Sequence, residues 1–271
     1  CWRSNTINLP LPTTNRPPST VMPSLLSDLT ARLASISDTP ALDASVLLAR
    51  ILGKTRTWVM AHPELTPTAD QQQQLEESLA RLENGEPFPY VLGHWEFFGM
   101  DFDITPDVLI PRPETELLVE KAIAWMRQAK VRRTVADVGT GSGIIAVAIA
   151  ASVPDARILA TDISPAALQV AQGNARKHRV DDRIRFTECD ILPPHPKSLP
   201  TEEHFDLLCA NLPYIPTETL QDLPVYGREP TLALDGGADG LDLFRRLMKV
   251  APEWMAPNSL ILLEIEATLG V

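Results

Sequence analysis

From Thr134 onward the sequence can fold in few ways. Five short apolar runs, TVADVG, RILATDI, RIRFTECD, FDLLCANL and SLILLEI, are interleaved with helical spacing over residues 144–151, 165–178 and about 241–250. That alternation is the mark of a parallel sheet with helices on its faces. The first run closes in DVGTGSG, where Gly139, Gly141 and Gly143 sit between a strand and a helix. Glycines there remove the side chains that would hold a ligand away from the backbone, and a helix N-terminus favours electron-rich groups. The spacing is G-x-G-x-G with Ile144 next, so the dinucleotide pattern G-x-G-x-x-G is not met.

The residues before this region have a different texture. Leu25, Leu26, Leu29, Leu33 and Ile36 recur at helical spacing, as do Ala44, Leu47, Leu48, Ile51 and Leu52. Thr68 is placed to cap a third helix carrying Leu75, Leu79 and Leu82, which should stop near Asn84-Gly85. A small helical bundle over 22–84 is therefore expected, preceded by a disordered leader over 1–21 that is rich in Pro, Thr, Ser and Asn. Residues 90–104 alternate and carry Trp95, Phe97, Phe98 and Phe102 around Gly99, which predicts a β-hairpin within a linker at 85–108. These aromatics are expected to be core. The sheet domain then runs over 109–271, with Pro113 as the first residue of a helix.

A formal charge of −11, from 24 basic and 35 acidic residues, argues against a partner held mainly by phosphate contacts. Cys1, Cys189 and Cys209 have unrelated spacings, so neither a disulfide framework nor a zinc site is indicated, and a reducing cytoplasm fits best. No metal is assigned to the five histidines. The longest apolar run, 144–153, falls far short of the roughly 20 residues of a bilayer span.

Asp162 ends the second strand, where an acidic side chain can accept both hydroxyls of a ribose. Ser164-Pro165 already supplies a helix cap and first helical residue, which should leave Asp162 free; Ile163 lies beside it. Asp190 ends the third strand, where its carboxylate could meet an adenine amino group while Ile191 packs on the ring; a surface turn is the competing reading. The fourth strand runs into Asn211-Leu212-Pro213-Tyr214. A plain proline-stiffened turn is one reading. A grip on a primary amide is the other, with the Asn211 side-chain oxygen and the backbone carbonyl of Leu212 as acceptors and Tyr214 as a stacking ring.

The set Asp137, Gly139, Thr140, Gly141, Ser142, Gly143, Asp162, Ile163, Asp190 and Ile191 resembles the nucleoside site of class I S-adenosylmethionine-dependent methyltransferases. Asn211–Tyr214 resembles the N-P-P-Y signature of their amino-methylating members, with Leu212 in place of the first proline. The segment YVLGHWEFFGMDFDITPDVLIPRPETELLVE and the segment REPTLALDGGADGLDLFRRL resemble the release-factor glutamine N5-methyltransferase family (PrmC/HemK). That resemblance implies a Rossmann-like α/β domain after a helical bundle, S-adenosyl-L-methionine as methyl donor, and the glutamine of the Gly-Gly-Gln motif of peptide chain release factors as substrate. It assigns Gly139–Gly143, Asp162 and Asn211 to the donor and Asn211–Tyr214 to the glutamine. It also puts Arg112, Pro113 and Glu114 in the wall near the reaction centre, although Arg112 and Glu114 could equally be an interdomain ion pair.

A cytoplasmic, monomeric enzyme with no membrane or direct nucleic-acid contact is expected. An adenine-N6 nucleic-acid methyltransferase and a nucleotide-binding module without catalysis remain the alternatives. The family continues beyond SLILLEI with further sheet strands, so a C-terminally truncated domain with 259–265 at the sheet edge is expected.

Overall fold

The computed structural model describes residues 24–128, 133–194 and 204–266. The leader expected at 1–21 lies outside them. The chain forms two compact units that divide between Leu75 and Glu76.

The first unit is helical: α1 (Leu25–Leu33), α2 (Pro40–Leu52), α3 (Arg56–Ala61) and the start of α4 (Ala69–Glu83). Its apolar stripe is real, since Leu29, Leu33, Ala44, Leu47, Leu48 and Val59 are all buried. Ile36 falls outside α1 and is exposed. The Thr68 cap forms as a reciprocal box: Gln71 N–H donates to Thr68 Oγ1 at 3.3 Å and Thr68 N–H to Gln71 Oε1 at 3.0 Å. The helix α3 has no signal in the sequence, because six residues are too few to show a period. Its start is nonetheless capped, by Thr55 Oγ1 accepting from Trp58 N–H at 3.1 Å.

The second unit begins within α4 and continues through α5 (Phe88–Leu92), β1 (His94–Phe97) and β2 (Met100–Asp103). The expected hairpin is present but shorter than 90–104, because Pro87 starts a helical turn that carries Tyr90 and ends at Gly93 in the left-handed conformation. The strands join through Phe98 and Gly99, both at positive φ, a two-residue turn whose twist suits a hairpin. Phe97 and Phe102 are buried, and Trp95 and Phe98 pack partly buried against the same cluster.

The sheet domain comprises α6 (Pro113–Gln128), β3 (Thr134–Val138), α7 (Ile144–Ser152), β4 (Arg157–Asp162), α8 (Pro165–Lys177), β5 (Ile184–Glu188), β6 (Phe205–Ala210), α9 (Thr217–Gln221), α10 (Asp242–Trp254) and β7 (Met255–Leu263). All of its strand pairs are parallel, in the order β5-β4-β3-β6-β7. Period-two alternation divides β3 and β6 between two cores. Val135, Leu207 and Cys209 join the cluster containing α6, α7 and α8 residues, whereas Ala136, Val138, Leu208 and Ala210 pack with Phe244, Leu247, Ala251 and Trp254 of α10. The helix α7 is apolar on every side and buried from Ile144 to Ala150, as a sandwiched helix must be. After β3 the chain crosses first to β4 and β5, then back to β6. That reversal beside β3 opens a crevice at the carboxyl ends of the strands.

Candidate active site

A cavity of about 640 Å³ occupies that crevice, within the range of roughly 300–1,000 Å³ usual for small-molecule sites. Its wall includes Gly139–Ser142, Asp162, Ile163, Asp190, Ile191, Asn211, Leu212, Pro213 and Arg112. The structure therefore brings most of the sequence-predicted residues to one place. Gly143, Pro113, Glu114, Tyr214 and Asp137 are outside the lining.

The glycine loop is built from backbone. Gly139, Gly141 and Gly143 all take positive φ. A Cβ on Gly143 would lie 3.0 Å from Ala171 Cβ of α8, so this glycine allows the loop and helix to touch. Nothing lies within 4 Å of the corresponding point on Gly141. Beneath the loop Asp137 is fully buried, with Oδ2 accepting from Thr140 Oγ1 at 2.6 Å and from Ala146 N–H at 3.1 Å. Burial pushes its carboxyl up to about 7 despite those two bonds. Asp137 thus props the loop from behind. On the other side Asn174 of α8 donates to Ser142 O at 2.9 Å and to Asp103 O at 3.0 Å while accepting from Asp103 N–H at 2.8 Å. This buried amide ties the hairpin to the loop, and no local pattern in the sequence announces it.

Asp162 is not free, contrary to the expectation from the Ser164 cap. Ser164 does cap α8, but Asp162 Oδ2 accepts from Gly141 N–H and Oδ1 from Ser164 N–H, each at 2.9 Å. A carboxylate has about four acceptor positions, so these bonds aim it without exhausting it. Asp190 lies two residues beyond the end of β5 rather than on the strand, and the Arg246 guanidinium of α10 meets its carboxylate. Ile191 holds φ 67°, costly for a β-branched residue, and its carbonyl accepts from Thr161 Oγ1 at 2.6 Å. Cys209 is fully buried and Cys189 only partly; burial pushes both thiols up, so neither is a ready nucleophile.

The fourth strand end is held by distant side chains. Asn211 Nδ2 donates to the buried Thr115 Oγ1 of α6 at 3.0 Å. Leu212 is 4% exposed and packs with Val138, Leu208 and Leu247. Its Cδ2 stands 2.9 Å from where a Gly139 Cβ would be, so the leucine side chain occupies the space that this glycine leaves. The turn is clamped from outside by the LDGGADG segment, residues 234–240: Ile215 N–H donates to Leu234 O at 3.1 Å, Gly236 N–H to Ile215 O at 2.9 Å and Thr217 N–H to Gly237 O at 2.9 Å. A Cβ on Gly236 would come within 2.7 Å of Tyr214 Cα, so this position tolerates only glycine.

Arg112 does not pair with Glu114, which is exposed. It donates to Glu229 Oε1 at 2.5 Å, and Glu229 Oε2 accepts from Ile110 N–H at 3.1 Å. The IPRPE and REPT segments, far apart in sequence, thus lock each other through one buried carboxylate.

A family model described as the PrmC N-terminal domain matches residues 24–93, and one described as ribosomal protein L11 methyltransferase (PrmA) matches residues 115–223. The release factor glutamine methyltransferase of Moorella thermoacetica is 43% identical over 249 residues, covering 90% of this chain and 85% of that protein. The chain belongs to the release factor glutamine methyltransferases. The family's Koribacter versatilis member is 39% identical over 234 residues, with 86% of this chain and 81% of that protein covered.

The residues present fit the S-adenosylmethionine that a methyltransferase of this family uses. Around one cavity lie an open backbone face at Gly141, the Asp162 carboxylate with acceptor positions to spare and the apolar Ile163 and Ile191, groups that would suit a nucleoside's ribose and ring. Among the described residues no helix is long and apolar enough to cross a membrane.

Proposed function

We propose that this chain methylates the side-chain amide nitrogen of the glutamine in the Gly-Gly-Gln motif of peptide chain release factors. The observation that carries this reading is that Asn211 and Leu212 open onto the same cavity as the glycine loop and Asp162. When bound, S-adenosylmethionine supplies an electrophilic methyl group on a sulfonium.

An amide nitrogen is a weak nucleophile because its lone pair is delocalised into the carbonyl. Acceptors on its two N–H groups localise that pair and point it in line with the methyl carbon. Asn211 Oδ1 and the Leu212 carbonyl are the two acceptors; the Tyr214 ring, which the motif implies as a stacking face for the amide, lies outside the cavity lining. Burial raises the Tyr214 phenol, with the Glu264 charge acting the same way, so it stays protonated and is no base at neutral pH. As the new N–C bond forms and the S–C bond breaks, the nitrogen becomes cationic; its proton then leaves to water.

A monomer acting in the cytoplasm is the setting this reading supports. The charge of −11 weighs against an adenine in nucleic acid as the acceptor. Incubation with methyl-labelled S-adenosylmethionine, a release factor and, separately, duplex DNA tests the reading. Label is expected on the release factor; label on DNA alone would contradict it.

A further inference from the structure

Three residues from separate parts of the chain meet behind the turn at Asn211. Thr115 lies in the first turn of α6, Asn211 follows β6 and Glu264 follows β7. Register sets the last two side by side. Ala210 pairs with Leu263, and Glu264 N–H donates to Ala210 O at 3.0 Å, extending the ladder by one bond. Thr115 is 0% exposed, and its hydroxyl accepts from Asn211 Nδ2.

A primary amide has one donating and one accepting end, and which end faces the cavity decides whether Asn211 can serve a substrate N–H. We propose that Thr115 and Glu264 are positioning residues that fix the Asn211 amide with Nδ2 turned inward and Oδ1 turned to the cavity. This rests on the reading of Asn211 as an acceptor for the substrate amide.

The chemistry of the three groups leaves little choice. The Thr115 hydroxyl already accepts from Asn211 Nδ2, so its own proton is directed elsewhere, and the neighbouring Glu264 carboxyl keeps an acceptor oxygen in either protonation state. Toward that hydroxyl Asn211 must donate, and the only donor on its side chain is Nδ2. Burial raises the Glu264 carboxyl and the Glu114 charge adds to that, while Thr115, Asn211 and the Arg112 charge act in the opposite direction. Glu264 Oε2 is fully buried without a hydrogen-bond partner among the described residues. With the amide flipped, its oxygen would face that acceptor-rich cluster and its NH2 would face the substrate N–H, which is unfavourable on both sides. Glu264 is outside the cavity lining, whereas Thr115 and Asn211 are in it. The carboxylate therefore acts through Asn211 rather than on the substrate.

The test compares Thr115→Val, which keeps the shape and removes the hydroxyl, with Thr115→Ser, which keeps the hydroxyl, and with Glu264→Gln. On a release factor, Thr115→Val and Glu264→Gln should lower kcat by about tenfold or more, with S-adenosylmethionine affinity within about twofold of wild type. Thr115→Ser should stay within about threefold of wild type. Equal losses in the Ser and Val variants, or an unaffected Val variant, would overturn the proposal. The orientation can also be read without a substrate, from hydrogen exchange of the Asn211 side-chain NH2 in the 15N-labelled enzyme. Protection in wild type and Thr115→Ser that is lost in Thr115→Val is expected; the same exchange in all three would sink the idea. If wild type methylates no release factor, the proposed function fails while the exchange experiment still decides the orientation.

Discussion

The two halves of the cavity are made differently. The half at the ends of β3, β4 and β5 comes from short contiguous stretches, and its key contacts are backbone: positive-φ glycines, the Gly141 N–H on Asp162 and the Ile191 carbonyl. The half at the end of β6 comes from side chains widely separated in sequence, with Thr115 holding Asn211 and Glu229 holding Arg112. A backbone-built cradle suits a ligand common to many enzymes, because the groups it offers are the same whatever side chains surround it. A side-chain-built grip can be tailored to one acceptor group. The first half should therefore govern donor affinity and the second should govern transfer.

The sharpest way to break that division is Asn211→Ala. Transfer to the release factor should fall by about 10²–10³-fold while donor affinity measured by calorimetry changes only a few-fold. A matched loss of both would mean that the halves are not separable. Next comes Glu229→Gln, which leaves the Arg112 guanidinium beside a neutral partner. Because the Glu229 side chain is buried and Arg112 about one-third exposed, a loss of about 2–3 kcal/mol in denaturant unfolding is expected, below the full cost of breaking a buried pair. Unchanged stability would show that the two segments are held by something else.

Asp162→Ala acts on the other half. It should raise the KM for S-adenosylmethionine by about tenfold and leave kcat at saturating donor close to wild type, since one charge-assisted hydrogen-bonding group is lost. A fall in kcat with KM unchanged would move Asp162 to the wrong side of the division. The smallest effect is a slope. The buried Asp137 keeps its proton up to about 7, whereas an unfolded chain gives it up near the ordinary carboxylate value of about 4. The native state binds more protons between those values, so this group's contribution to stability is full below that range and is lost as pH rises to about 7. Thermal melting of Asp137→Asn should lack that component; an identical pH profile in the two proteins would assign the carboxyl an ordinary pKa.

This contrast also explains what was legible in the sequence. The strand and helix order, the glycine loop and the capping box at Thr68 all use neighbours within a few positions, so pattern and spacing reveal them. The Asn-Leu-Pro-Tyr turn was visible as a motif, but not its supports. Glu264, Asn174, Glu229 and Arg246 gave no local signal because each meets its partner only after the sheet is assembled. The partners of Asp162 are hidden for a related reason. The Ser164 cap of α8 is local and legible, but the Gly141 N–H that takes one oxygen of Asp162 comes from the neighbouring strand's loop. Leu212 shows the reverse case: a departure from the family motif that looks like lost rigidity becomes a packed contact once Gly139 lies beneath it.

The most direct measurement is the mass of the Gly-Gly-Gln peptide from a release factor after incubation with S-adenosylmethionine and either wild-type enzyme or Asn211→Ala. The account predicts that wild type adds the mass of one CH2 unit, located by fragmentation to the glutamine side chain, and that the variant adds none. A peptide unchanged by wild type, or modified equally by the variant, would contradict it.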